Sequence, residues 1–359
     1  MEKQSGVMAL PQTMYGVQLI GHGGPDQLVW NETIPVPLPR PGEVLARVLA
    51  AGVNNTDINT RIGWYSKDVT VATADVGDEE IDSGGWAGAL PFPLIQGGDL
   101  CGEVVLLGKG VTEFKPGMRV TCPINQPNPT EDAPRRFEVL GSDLDGTFAQ
   151  FCKVPARQLF DVSSSPLSDI EIGAMPCAYG TALTLLTRSR VGAQDRVLIT
   201  GASGGVGLAA VQLAKLKGAK VTGVSSPAKA DSVLAAGAVA VIGRDQTPTV
   251  QAFTVVIDVV GGSRFGALLE ALIPGGRYAT AGAIAGPIVE TDLRTVYLQD
   301  LTIFGCTYQP KEVFADLISL INRGSVRPLI SKTYSLRDIA TAQEDFACKR
   351  YPGKLVLLP

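Results

Sequence analysis

The chain has 359 residues, a formal net charge of −4 and 45% hydrophobic residues, and roughly 100–200 residues per domain would make two domains. No run of Lys and Arg could follow a phosphate backbone, which argues against nucleic acid as a partner. No apolar run approaches the ~18 residues that span a bilayer, and the start MEKQSGVMALPQTM lacks the apolar segment of a secretory signal. We therefore expect a cytoplasmic protein that binds small molecules.

The first part of the chain contains short β-like runs separated by glycine and proline, and this pattern predicts a compact antiparallel barrel. They are GVQLIGHGG, DQLVWNETIPVPLP, GEVLARVLAAGV, CGEVVLLGKGV, PGMRVTC and FAQFCKVPA. Two irregular stretches interrupt them, at 66–92 and 123–143. The first contains six carboxylates and Trp86, and we interpret it as a solvated loop, with a flexible cover over a cleft as the alternative.

From about residue 165 the pattern changes to alternating strands and helices, which predicts parallel pairing in a doubly wound sheet. Single helices are predicted over IEIGAMPCAYGTALTLLTRS and RFGALLEALIPGG. After Gly305 the last segment, GKLVLLP, is again a strand and is expected to return to the first domain. We predict a β-barrel domain at 1–164, completed by 306–359, and a nucleotide-binding domain at 165–305.

The stretch LITGASGGVGLAAVQLAK offers a strand, a glycine turn and a helix, the order that a dinucleotide-binding turn requires. Ala202 replaces the first glycine of G-x-G-x-x-G, whereas Gly204 and Gly207 are kept. Gly204 would let the backbone approach a phosphate, and Gly207 would let the helix pack closely on the strand. The predicted contacts in this turn are Ser203, Gly204, Gly205, Val206 and Gly207.

The next strand predicts which dinucleotide is bound. An NAD site usually offers a carboxylate to the ribose 2′-hydroxyl, but no Asp or Glu occurs from Arg196 to Ala230. Ser225, Ser226 and Lys229 could instead hold a 2′-phosphate, with Arg244 adding a second positive charge. The pattern favours NADP(H); the alternative for Lys229 is an ordinary solvated helix residue.

Cysteine and histidine usage limits the chemistry further. The six cysteines, at 101, 122, 152, 177, 306 and 348, form no C-x-x-C pair, which argues against a disulfide framework and a four-cysteine zinc site. The single histidine, His22, cannot supply an HExxH motif, and a Ser-His-Asp triad would have to be built on its loop. Hydrolase mechanisms therefore lose most of their support.

The chain resembles the medium-chain dehydrogenase/reductase superfamily, in its zinc-free, quinone-oxidoreductase-like branch. The resemblance rests on GVNNTDINTRIGWY, GTFAQFCKVPA, VLITGASGGVGLAAVQLAKLKGAKV and GKLVLL. It implies an α/β fold, with a GroES-like β-barrel domain and a Rossmann domain built on a doubly wound parallel sheet. Zinc-dependent members place ligands where this chain has Asn54, Gly98-Asp99 and Cys177; one ligand of three cannot hold a catalytic zinc, so no metal is expected.

Further expectations follow from this resemblance. The usual metal-free reaction is hydride transfer from NADPH to a quinone or an α,β-unsaturated carbonyl, with protein donors to the developing oxyanion. The resemblance also implies a homodimer. Candidate catalytic residues are Asn54, Asp57, Tyr65 and Thr181, and further cofactor contacts are expected at Val260, Gly261, Ala281, Gly282 and Lys354. An alcohol dehydrogenase-like NADP(H) enzyme and a cofactor-binding protein with little turnover remain as alternatives.

Overall fold

The computed structural model describes residues 10–77, 84–85 and 88–359. Four of the six carboxylates of the 66–92 stretch (Asp78, Glu79, Glu80 and Asp82) and Trp86 lie outside the described residues, and so does most of the predicted cover. Among the described residues, no helix has the length and apolar character needed to cross a bilayer.

The strands of the described residues are β1 (Thr13–Leu19), β2 (Leu28–Pro35), β3 (Glu43–Gly52), β4 (Leu94–Ile95), β5 (Cys101–Leu107), β6 (Arg119–Thr121), β7 (Asn125–Pro127), β8 (Phe137–Val139), β9 (Phe151–Pro155), β10 (Phe160–Asp161), β11 (Arg196–Ile199), β12 (Lys220–Val224), β13 (Ala240–Ile242), β14 (Phe253–Asp258), β15 (Leu272–Thr280), β16 (Thr302–Gly305), β17 (Ile330–Ser335) and β18 (Lys354–Leu358). The α-helices are α1 (Asn55–Arg61), α2 (Asp169–Gly173), α3 (Pro176–Arg188), α4 (Gly205–Leu216), α5 (Ala230–Ala236), α6 (Phe265–Glu270), α7 (Leu293–Leu298), α8 (Lys311–Asn322) and α9 (Ile339–Ala347).

The first part of the chain forms two mostly antiparallel sheets around one apolar core. One sheet has the order β10-β6-β5-β3-β18-β17, with β9 also paired to β3, and the other has the order β2-β1-β4. The last strand, β18, runs antiparallel to β3, with Val356 opposite Gly52. Its side chains are buried with those of β3 and β5, so the end of the chain is part of this core.

The middle of the chain forms a six-stranded parallel sheet, as predicted, in the order β13-β12-β11-β14-β15-β16. The strand order reverses between β11 and β14, and the crevice beside such a reversal is where doubly wound sheets bind dinucleotides. Helices α3 and α4 contribute to the larger apolar core on this sheet, and α8 joins them through Val313, Phe314 and Leu317. The predicted domain limits at 164 and 305 stay predictions.

Three local predictions were wrong for identifiable reasons. The helix expected over 170–189 is broken between Gly173 and Pro176, because proline lacks the N–H that a helix interior needs and begins α3 instead. The helix expected over 264–276 ends at Glu270, and β15 begins at Leu272. The 123–143 stretch contains the hairpin β7–β8.

Candidate active site

Two of the predicted catalytic residues, Asn54 and Asp57, lie at the point where β3 leads into α1. Asn54 is the N-cap of α1, and its backbone N–H donates to Oδ2 of Asp57 over 2.8 Å. The Gln96 side chain donates to the backbone carbonyl of Asp57, which fixes the first turn of the helix against the next segment of the domain. Asn54 and Asp57 therefore form one rigid, buried unit.

A buried network of hydrogen bonds surrounds the Asn54 amide. The ammonium of Lys354 donates to Oδ2 of Asp99 over 3.0 Å, to Oδ1 of Asn54 over 2.6 Å and to the carbonyl of Val53 over 3.0 Å. Nδ2 of Asn54 donates to Asp99 over 2.9 Å and to the carbonyl of Gly52 over 3.2 Å. Both amide hydrogens of Asn54 are thus used inside the protein, and so are the three of Lys354.

The Lys354–Asp99 pair also connects this turn to the nucleotide-binding part of the chain. Oδ1 of Asp99 accepts the backbone N–H of Cys177, in the first turn of α3, over 2.6 Å. The aliphatic part of Lys354 lies against Gly205 so closely that a Cβ there would come within 2.7 Å of it. The side chain predicted to contact cofactor is therefore a buried bridge between two parts of the site.

Tyr65 and Thr181, the other two predicted catalytic residues, both interact with Cys177. The phenol of Tyr65 bonds to Thr56 and Asn59, and burial raises its pKa well above its usual value. Burial also raises the pKa of the Cys177 thiol to about 12, and the negative charge of Asp99 is the next largest cause of this increase. Thr181 bonds to this thiol. Asn54, Asp57, Tyr65 and Thr181 are therefore brought together around Cys177, while Tyr179 points into the core and bonds to Gln212.

The residues at the zinc-ligand positions of the resemblance do not fit a metal. Asn54 and Asp99 are bound to the Lys354 ammonium, a positive charge that would repel a metal cation at the same place. Cys177, the remaining donor, is a buried thiol with a raised pKa, whereas zinc binds the thiolate. Among the described residues, no group of three or more His, Cys, Asp or Glu could hold a metal ion.

The nucleotide turn, residues 201–207, fits a phosphate at the start of α4. Gly204 is the N-cap, offers no side-chain bond to the first N–H groups, and is exposed. At Gly207 a Cβ would come within 2.2 Å of the carbonyl of Gly201, so the helix does pack closely on the strand end. The positive φ of this turn falls on Gly201, at +56°, which explains why Ala202 is tolerated at the first position of the motif.

Positively charged side chains lie close together after β12, and none of them forms an ion pair with a carboxylate among the described residues. The hydroxyl of Ser225 is buried and has no hydrogen-bond partner. Lys229 donates to the carbonyls of Lys349 and Tyr351, and burial together with the charge of Arg244 lowers its pKa. Burial and the neighbouring Lys229 lower the pKa of Lys349 to about 8. An orphaned hydroxyl beside mutually repelling cations is a donor set that an anion would satisfy.

The remaining predicted cofactor contacts lie on two loops at the same edge of the parallel sheet. Val260 and Gly261 follow β14, and Ala281 and Gly282 follow β15. The two loops bond to each other, since the backbone N–H of Ala285 donates to the carbonyl of Val260 over 2.9 Å. These four residues therefore lie at the carboxyl ends of two neighbouring strands, next to the strand that leads into the nucleotide turn.

The sequence did not indicate that three residues, Asp99, Lys349 and Asp258, belong to the site. Asp99 was noticed only as a substituted zinc ligand, and its bond to Lys354 joins positions 255 apart in the chain. Lys349 comes from the returning segment, far in sequence from the strand it neighbours. Asp258 ends a run of apolar strand residues, FTVVID, and this position was the one available signal.

Comparisons with known proteins agree with this architecture. Residues 40–164 match the family model described as the alcohol dehydrogenase GroES-like domain, and residues 205–323 match that described as zinc-binding dehydrogenase. The first match confirms the expected GroES-like domain. The description of the second family model mentions zinc, but the side chains around Asn54 in this chain bond to an ammonium and do not fit a metal.

Individual relatives extend over nearly the whole chain. The acryloyl-coenzyme A reductase of Metallosphaera sedula is 30% identical over 334 residues, which cover 89% of this chain and 93% of that protein. The quinone oxidoreductase of Mus musculus is 28% identical over 365 residues, with 96% and 98% covered. A solved structure assigned as an alcohol dehydrogenase from Sinorhizobium meliloti 1021 is 40% identical, with a TM-score of 0.88 and 98% of each chain covered.

The buried carboxyl of Asp57 predicts a pH-dependent stability. Burial, with the charge of Asp99 adding to it, raises its pKa to about 7, so between about pH 4 and pH 7 the folded protein keeps a proton that the unfolded chain has lost. Stability therefore falls as the pH rises through this window, by up to about 1.4 kcal/mol per pH unit. The Asn side chain of the Asp57→Asn variant keeps an acceptor for the Asn54 N–H but cannot ionise. The free energy of unfolding of this variant should therefore increase relative to that of the wild type as the pH rises. The difference between the two free energies should become constant above about pH 8.

Urea unfolding across this pH range measures the difference, with exposed Asp245→Asn as the control for a change in net charge. Parallel stability curves for the wild type and Asp57→Asn would contradict the expected protonation of Asp57.

Proposed function

Because the chain belongs to the medium-chain dehydrogenase/reductase superfamily, we propose that it is an NADPH-dependent oxidoreductase that transfers hydride, without a metal, to a quinone or an α,β-unsaturated carbonyl. The observation that carries the proposal is the Lys354–Asp99–Asn54 network beside a complete nucleotide turn. Because the residues at two of the zinc-ligand positions, Asn54 and Asp99, bond to the Lys354 ammonium, we propose a reaction without a metal Lewis acid, which suits an acceptor that is already electrophilic. The named activities of the acryloyl-coenzyme A and quinone relatives support the same substrate class.

The choice of NADPH over NADH rests on charge. Burial, followed by repulsion from a neighbouring cation, lowers the pKa of both Lys229 and Lys349, and the buried hydroxyl of Ser225 lacks a partner. A 2′-phosphate beside β12 would relieve the repulsion and bond to the hydroxyl. The 2′-hydroxyl of NADH is uncharged and would leave the repulsion between the cations in place, and the strand offers it no carboxylate.

In this proposal the bound cofactor supplies the hydride, and the protein stabilises the charge that develops on the substrate oxygen. Tyr65 is the proposed donor, because its phenol lies near Cys177 and, like any phenol at neutral pH, carries a hydrogen that it can donate. Asn54, with both amide hydrogens bonded internally, holds the turn that places α1. Asp57 fixes Asn54 through its backbone N–H, and Thr181 borders the substrate position beside Cys177.

The cofactor preference is tested with Lys229→Gln. Loss of one charge-assisted hydrogen bond should lower kcat/KM for NADPH by at least about tenfold while changing that for NADH by less than about twofold. Lys220→Gln is the matched control, because exposed Lys220 begins β12 at the end of the strand that is farther from Lys229. Steady-state rates with both cofactors measure the effect, and a wild-type preference for NADH would contradict the assignment.

The reaction is tested by following NADPH oxidation with quinones, enones, enals and enoyl thioesters. Tyr65→Phe should lower kcat by about 10- to 1,000-fold with little change in KM for NADPH, as expected when one donor to an oxyanion is removed. Tyr179→Phe is the control, since this buried hydroxyl bonds to Gln212 in α4. Asn54→Ala should also be slow, because it removes the acceptor of one Lys354 bond.

Two results would contradict this reaction. Unchanged rates in both Tyr65→Phe and Asn54→Ala would refute the proposed roles. Oxidation of alcohols with NADP⁺, stimulated by zinc and without reduction of any quinone or enone, would favour the alcohol dehydrogenase alternative.

We also propose that the protein is a homodimer joined along β16. This strand is the edge of the parallel sheet, and its Ile303 is 45% exposed. The neighbouring segment exposes Ile288, Leu293, Tyr297 and Leu298, each more than 60%. An unpaired edge beside an apolar patch is a surface that a second copy could cover, continuing the sheet.

Leu298→Asp should convert the dimer to a monomer, because a carboxylate in a buried apolar interface loses its hydration. Light scattering after size exclusion gives the mass. Val239→Asp, at a similarly exposed apolar residue away from β16, should leave the mass unchanged. A wild-type protein that is monomeric at high micromolar concentration would contradict the proposal.

A further inference from the structure

Asp258 is the last residue of β14, and its carboxylate is fully buried beside the nucleotide turn. Oδ1 accepts hydrogen bonds from the Thr200 hydroxyl, from the Val260 N–H over 2.9 Å and from the Gly261 N–H over 3.2 Å. Oδ2 accepts the Tyr278 hydroxyl and shares the Gly261 N–H. Every donor in this set is neutral.

A buried carboxylate without a cation is expensive unless its lone pairs are well satisfied, so a strand end that needed only packing would favour an apolar residue. The donors of Asp258 come from three different segments. Thr200 directly follows β11 and leads into the nucleotide turn, Val260 and Gly261 follow β14, and Tyr278 belongs to β15. The carboxylate therefore ties together the ends of three neighbouring strands at the reversal of strand order.

The Thr200 hydroxyl has a second bond that strengthens this link. It accepts the backbone N–H of Val259 over 3.1 Å, so the 259–262 loop is bonded both to Asp258 and to the strand before the nucleotide turn. The side chains of Val259 and Val260 pack so close to Gly201 that a Cβ there would be 3.1–3.2 Å from them. The position of the loop is thus fixed relative to the residues that would hold a pyrophosphate.

The 259–262 loop in turn fixes the loop after β15. The backbone N–H of Ala285 bonds to the carbonyl of Val260, and the N–H of Gly262 bonds to the carbonyl of Gly286. Both loops lie on the side of β11 away from Ser225, so they border the half of the crevice opposite the adenosine end. The carbonyl of Ile284, in the second loop, accepts the N–H of Thr73 from the barrel domain.

We propose that Asp258 is a positioning residue that holds the two loops on the nicotinamide side of the crevice in their binding conformation before NADPH arrives. The inference rests on the proposed function, since it concerns the same cofactor. Asp258 acts through the loops, because its oxygens are directed at protein donors. Without the Thr200 and Tyr278 bonds, part of the binding free energy would be spent on ordering the loops.

The test compares Thr200→Val with Thr200→Ser. Valine has nearly the shape of threonine but removes both the donor to Asp258 and the acceptor of the Val259 N–H, whereas serine keeps both. Thr200→Val should raise the NADPH dissociation constant, measured by nucleotide fluorescence, by at least about tenfold, equal to about 1.4 kcal/mol. Thr200→Ser should stay within about twofold of the wild type.

Tyr278→Phe provides a second variant, which removes one donor to Oδ2 and keeps the buried ring. It should also raise the dissociation constant, and the melting temperature without NADPH shows that each variant is folded at the titration temperature. If Thr200→Val and Tyr278→Phe lower the melting temperature but bind NADPH like the wild type, Asp258 is merely structural and the inference is overturned. A wild type that does not bind NADPH would overturn the proposed function itself, a result distinguishable from equal binding by wild type and variants.

Discussion

The buried ion pair between Lys354 and Asp99 is the interaction on which the arrangement of this protein depends. Burying two charges costs several kcal/mol per ion unless both are fully bonded, and here the Lys354 ammonium makes three bonds while Asp99 also accepts the Cys177 N–H. These bonds form only if the last strand, the turn after β3 and the start of α3 are all in place. The pair therefore sets how the barrel meets the nucleotide-binding sheet.

The charge of the crevice is divided between its two ends. At the β12 end, Lys229 lies near Lys349 and Arg244, and none of the three forms an ion pair among the described residues. At the β14 end, the Asp258 carboxylate is buried among neutral donors. This division of charge agrees with the cofactor we propose, since NADP(H) carries a 2′-phosphate at one end and, when oxidised, a positively charged ring at the other.

The sequence predicted those features that depend on local pattern. Strand and helix alternation indicated the parallel sheet, and the glycines of 201–207 indicated the nucleotide turn, because both signals lie within a few consecutive residues. The break before Pro176 was also locally encoded, but the apolar periodicity of the surrounding helix obscured it. Ser225 and Lys229 both lie in the short connection after β12, as their positions in the sequence predict.

The site itself could be predicted only in part, because its bonds join distant positions. Lys354 was identified by its place in GKLVLL, yet its bonds to Asn54 and Asp99 depend on the pairing of β18 with β3. A single sequence shows which residues are polar but not which of them donate to one another. The internal use of both Asn54 amide hydrogens, which changes its expected role from donor to support, could be seen only in three dimensions.

The pairing of Gly52 with Val356 joins positions about 300 residues apart in the chain. Such a contact forms late, because closure of a long loop has to precede it. During synthesis on the ribosome, the nucleotide-binding sheet and the barrel strands that precede β17 can assemble while Asp99 still lacks its cation and Gly205 lacks the side chain that packs against it. Addition of β18 therefore completes both the barrel sheet and the network around Asn54 in the same step.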